Sequence, residues 1–143
     1  MRDSLQYSLE MLKGELLKCN FKLFQDKKSS RGLTVRSPSG KEHFIFIQPI
    51  DLEKERSVKI NKQQLGEPKD NLWIGLVLLM EDMEPKLYLI PSKRLAEPDD
   101  YIFIDNEQSE MFSHLSNWEI KVFTKAIAEL SKYTFENVVG ELA

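Results

Sequence analysis

The chain has 143 residues, of which 41% are hydrophobic and 30% charged, the length and composition of one folded domain spanning 1–143 rather than of a disordered segment. No run of about 18 apolar residues is present to cross a membrane. The amino terminus shows no apolar signal core, and the single cysteine, Cys19, excludes an intrachain disulfide and a cysteine-rich zinc site, so a cytoplasmic protein is expected.

Leu5, Leu9, Leu12 and Leu16 step by 4, 3 and 4 along one face, which predicts a helix over 4–19, with Asp3 and Gln6 placed as a capping box. Phe21–Phe24 alternates as a short strand, and the polar stretch from Gln25 to Gly32 reads as a loop. Leu33–Arg36, the turn Ser37-Pro38-Ser39-Gly40 and the apolar run His43–Gln48 form a hairpin, 33–37 with 42–48. The run is apolar on both sides, so its strand should be central, and Pro49 should end its pairing. Ser57–Ile60 reads either as a strand or as the lead into a helical turn at 61–65. Leu72–Met80 is a second central strand, paired with Lys86–Ile90, after which Ser92 caps a turn to Leu95. Tyr101–Ile104 is a last short strand. Ser116-Asn117-Trp118-Glu119 resembles a capping box, and Ile120, Phe123, Ile127 and Leu130 carry a helix to about Lys132, followed by an apolar terminal turn at 135–142. The result is an α/β (α+β) domain. It has an N-terminal helix, a central mixed sheet of four to five strands, short helical turns and a C-terminal helix packing on the sheet.

The net charge of −3 is unevenly spread. Residues 13–41 hold eight basic and two acidic residues, a local +6, whereas 81–143 holds thirteen acidic and six basic ones, a local −7. One reading makes Lys22, Lys27, Lys28, Arg31 and Arg36 a nucleic-acid-facing surface; the other makes them a solvated face, complementary to the acidic end of a neighbouring molecule.

Most catalytic signatures are absent. The six glycines form no phosphate-cradling loop, and His43 and His114 have no partner at metal-ligand spacing. Both histidines read as surface or capping residues, and Cys19, at a helix end, reads as a buried structural thiol rather than a nucleophile. The acidic turns Glu53–Glu55, Glu81–Glu84 and Asp99–Asp100 read as solvated.

The helix, "NFKLF", "GLTVRSPSGKEHFIFIQPID" and "LWIGLVLLMEDMEPKLYLIPSKRL" together resemble, over roughly residues 5–92, the restriction-endonuclease-like, or PD-(D/E)XK, superfamily, including bacterial members that share the Ile-Pro-Ser turn. The resemblance implies a strand carrying a metal-binding aspartate. It also implies a hairpin partner carrying an acidic residue or glutamine with a lysine two positions on. Together these groups would hold a divalent metal and activate water on a phosphodiester. Gln48 stands at the glutamine position. The aspartate position falls near Gly32 or Thr34, and the lysine position falls on Ile50.

Two of the three catalytic groups are therefore missing, each a loss of orders of magnitude in rate. The expectation is a non-catalytic bacterial binding or assembly module needing no cofactor. The alternatives are a Mg²⁺- or Mn²⁺-dependent nuclease with a migrated site, drawing on Gln48 and Asp51 with Lys59, Lys62, Glu10 or Glu15, and a nucleic-acid-binding protein using 13–41. A homodimer built on Trp73, Trp118 and the 135–142 tail is a further expectation, set against core packing of both tryptophans.

Overall fold

A computed structural model describes residues 4–25 and 31–143. Helix α1 spans Ser4–Lys18 and buries Leu9, Leu12 and Leu16, the predicted stripe. The predicted cap, Asp3, lies outside the described residues. Asn20 closes the helix at φ 65, a left-handed conformation that asparagine tolerates, and the chain enters β1, Lys22–Gln25. Strands β2, Gly32–Arg36, and β3, Glu42–Asp51, form the predicted hairpin.

Next come β4, Ser57–Asn61, and the short helix α2, Lys62–Leu65, capped by Asn61 Oδ1 accepting from the amides of Gln63 and Gln64. Strands β5, Leu72–Leu79, and β6, Lys86–Pro91, lead to the single turn α3, Ser92–Leu95. The remaining elements are β7, Phe103–Asn106, a 3-10 segment Glu110–Leu115, β8, Asn117–Lys121, α4, Thr124–Leu130, a 3-10 turn Ser131–Tyr133 and α5, Phe135–Leu142.

The main sheet has five strands in the order β1-β2-β3-β5-β6. All its pairs are antiparallel except β3 with β5, which run parallel because the connection between them passes through β4 and α2. A second antiparallel sheet, β4-β8-β7, covers one face of the main sheet. The other face carries α1 and α5. Alternation along β3 and β5 feeds both cores. Phe46, Ile50, Ile74, Leu76 and Leu78 pack toward the second sheet with Ile60, Trp118 and Ile120, and α4 adds Ala126 and Leu130. Ile45, Ile47, Trp73 and Val77 pack toward the helices with Leu12, Leu16, Phe135 and Leu142. None of the helices is long and apolar enough to cross a membrane among the described residues.

Several expectations are corrected. Residues 117–121 are a strand, and the carboxy-terminal helical region starts only at Thr124. Trp118, Ile120 and Val122 are buried in alternation, so the segment fits period 2 as well as period 3.6. Pairing with β4 on one side and β7 on the other decides between them. Ser116 Oγ accepts from the Gln108 amide instead of capping a helix.

Pro49 does not end the pairing, since β3 stays in register with β5 through Asp51 opposite Leu79. The Phe44 amide points to Asn71 on the β5 side and the Ile47 amide to Arg31 on the β2 side. Pro49 shares the parity of Ile47, so its missing donor faces away from β5. Ser92 does not cap α3. Its hydroxyl donates to the Lys69 carbonyl and accepts from the Lys69 amide, both at 2.9 Å.

Trp73 and Trp118, 6% and 7% exposed, belong to the two cores, and Phe135, Val138 and Leu142 dock α5 on the helix-side core. Cys19 is half-buried, packed at the margin of that core.

Candidate functional site

Gln48 is the polar interruption in the β3 row Phe44, Phe46, Gln48, Ile50, which faces the second sheet. Its Oε1 accepts a hydrogen bond from Arg31 Nη2 at 2.8 Å, and its Nε2 donates to the Pro49 carbonyl at 3.0 Å. The same Arg31 nitrogen donates to the Ile47 carbonyl at 3.2 Å, and the guanidinium lies over the Phe46 ring, 5.1 Å from its centroid. Burial holds the Arg31 pKa below its ordinary value, yet an arginine remains charged. A part-buried guanidinium needs acceptors, and the Gln48 amide oxygen is one.

The positions that the endonuclease resemblance assigns to a carboxylate are shaped otherwise. Thr34 lies directly opposite Phe44 in the hairpin register. A methyl group built on Gly32 would overlap the Phe44 ring, so this ring occupies the space an aspartate side chain would need. Ile50, at the lysine position, is 1% exposed in the sheet-side core.

Gln48 also lines a polar cleft of about 480 Å³ with Glu55, Arg56, Ser57, Val58 and Lys59. The cleft thus gathers a glutamine, one carboxylate and a lysine. Glu119, opposite Lys59 in the β4–β8 register, is held below the usual carboxylate range. Partial burial works against its charge, but bonds from Asn106 and Ser57 and the charges of Lys59 and Lys121 outweigh it.

The other residues considered for a migrated site are not brought to Gln48. Asp51 lies three residues on, on the opposite face of β3. Its Oδ1 accepts from the Glu53 amide at 3.0 Å in a local turn. Glu10 and Glu15 sit on α1, across the main sheet, bonded to Gln6 and Lys18 respectively. Lys62 is tied to Asp105 at 2.6 Å and to Glu107, and lies over the Trp118 ring. Burial opposes its charge, but these two carboxylates raise its pKa. Among the described residues, no group of three or more His, Cys, Asp or Glu side chains is placed to hold a metal ion.

The basic region divides. Lys22 stands directly across from Arg36 on β1 and β2, both exposed. Arg36 pairs with Glu42 at 3.2 Å and covers the Phe24 ring. Arg31 turns inward instead, and Lys27 and Lys28 lie outside the described residues. His43, expected at the surface, is 8% exposed and bonded on both ring nitrogens. His114 is exposed, as expected.

The sequence reading missed the Arg31–Gln48 pair. Its one signal was a glutamine inside an otherwise apolar central strand, since a buried amide implies a buried partner. Comparison with protein-family models, curated proteins and solved structures finds no match.

Proposed function

We propose that the chain is a non-catalytic binding or assembly module built on an endonuclease-like hairpin. One observation carries this reading: the Phe44 ring fills the space over Gly32 where the metal-binding carboxylate would stand. The Arg31 guanidinium adds to it, because a cation already bonds the Gln48 oxygen that would face the metal. The reading extends to a bacterial protein on the strength of the resemblance, and to a cytoplasmic one on the single cysteine.

A second reading rests on the cleft shared by Gln48, Glu55 and Lys59, which supplies a ligand oxygen, a carboxylate and an ammonium for a migrated Mg²⁺- or Mn²⁺-dependent nuclease site. One experiment separates the two. The protein is incubated at high concentration with single- and double-stranded DNA and either metal. The binding-module reading expects no cleavage. Cleavage abolished by Lys59→Ala and by Gln48→Ala would replace it with the nuclease reading.

A further inference from the structure

β6 is the far edge of the main sheet, at the opposite end from β1. An isolated bridge between Tyr88 and Thr134 covers part of that edge. Beside it lies a cavity of about 550 Å³ bounded by α1, the start of β6, α4 and the start of α5, within the roughly 300–1,000 Å³ range of small-molecule sites. It opens at the seam of the two cores: Met11, Leu87 and Phe135 belong to the helix-side core, and Tyr88 to the sheet-side core.

Its lining combines apolar side chains with carboxylates. Glu15 comes from α1, Glu84 from the turn before β6, and Glu136 from the first turn of α5, so three separate elements bring carboxylates to one opening. Lys86 is the one basic residue among those lining it, and Lys18 reaches Glu15 at 3.4 Å on the exposed side.

Tyr88 supplies an independent observation. It is 2% exposed and forms part of the cavity wall, and its hydroxyl, which no group among the described residues bonds, is not fully buried. An oxygen so placed is open to a polar group of a ligand in the cavity. Burial raises its pKa, so the phenol stays neutral and can accept from a ligand N–H.

We propose that this cavity binds a small organic cation: an ammonium group carried on an apolar alkyl or aryl body. The body takes the walls formed by Met11, Leu87 and Phe135, and the ammonium takes the carboxylates. An anion of the same size would face three carboxylates, and a neutral molecule would leave their charges unused. The proposal does not rest on the hairpin reading, because cavity and hairpin cleft lie at different strands of the sheet.

The test is calorimetric titration of the full chain with phenethylammonium, phenethyl alcohol and phenylacetate, which share one body and differ in charge. The ammonium should bind several-fold more tightly than the alcohol, more weakly as salt rises, and phenylacetate should not bind. Ser131→Trp, which fills the cavity from an exposed lining position, should abolish binding while leaving the melting temperature near that of the parent. The doubly substituted Glu84→Gln, Glu136→Gln chain should bind the ammonium several-fold more weakly and the alcohol no differently. Equal binding of ammonium and alcohol, binding that survives Ser131→Trp, or no saturable binding of the ammonium in the millimolar range would each overturn the proposal.

Discussion

Trp73 donates its indole N–H to Nδ1 of His43 at 3.0 Å, deep in the helix-side core. An indole nitrogen only donates, so Nδ1 is unprotonated and the ring's proton sits on Nε2. That proton bonds the Leu142 carbonyl at 2.9 Å. One neutral imidazole thus joins β3, β5 and the last turn of α5, with its ring edge-on to the indole at 70°.

The folded state should therefore lose stability in mild acid. Burial lowers the His43 pKa below 6.5, the Leu142 bond pulls it back, and Lys41 pushes it down further. A depressed folded value means that the unfolded chain takes up the proton first, so stability rises with pH in this range. Its contribution is complete above pH 6.5, declines as the pH falls below that value, and levels off once the folded imidazole also protonates. Denaturant midpoints measured from pH 8 down to pH 5 should show this decline, and His43→Gln should flatten it. A decline unchanged in His43→Gln would assign it to other groups.

Arg31 and Gln48 should be energetically coupled. Gln48→Leu suits its apolar row but takes an acceptor from a part-buried guanidinium, for a cost of about 1–2 kcal/mol. Arg31→Met removes the charge, after which Gln48→Leu should cost far less. A double-mutant cycle by urea unfolding should give a coupling of at least about 1 kcal/mol, and additivity would show that the bond contributes nothing.

The sheet was largely legible because its signals are local: alternating runs, a Ser-Pro-Ser-Gly turn and glycine inside an apolar strand. The second sheet was not, because what makes 117–121 a strand is its pairing with β4, some sixty residues earlier. Pro49 misled for a related reason, since its effect depends on which side its nitrogen faces. At the candidate site Gln48 could be singled out by type and position. Its partner could not, because Arg31 sits in a polar stretch that reads as solvated and only the hairpin register turns it inward. His43 shows the same limit, as a strand-start histidine gives no sign of the Leu142 carbonyl that accepts its hydrogen bond.

Placing an acid in the hairpin should be costly in a specific way. Gly32→Asp places a side chain where the Phe44 ring lies, and overpacking of this kind costs about 1–3 kcal/mol, with a buried carboxylate adding more. Phe44→Ala alone is also destabilising, because it opens the sheet-side core. In the Gly32→Asp, Phe44→Ala chain the two costs should be less than additive, since each relieves the other. Strict additivity in thermal unfolding would mean that the ring and the new side chain do not compete for that space.

Asp99 orders the turn into β7 by local bonding alone. Its Oδ1 accepts from the amides of Tyr101, Ile102 and Phe103, each at 2.9 Å, and Oδ2 faces Arg94 at 3.3 Å. Partial burial raises the carboxyl's pKa, but the three amides and Arg94 outweigh it and hold the group below 3.8. A depressed folded value stabilises the native state above the unfolded pKa, and that stabilisation disappears as the pH falls through the folded one. Asp99→Ala should cost about 1–2 kcal/mol at neutral pH, on the scale of a lost helix cap. Asp99→Asn, which keeps the amide acceptor and loses the charge, should cost less. The cost of both variants should shrink as the pH is lowered toward about 2, as the parent's carboxyl progressively takes up its proton. A cost that persists undiminished at that pH would mean that Asp99 acts through its shape and not through its charge.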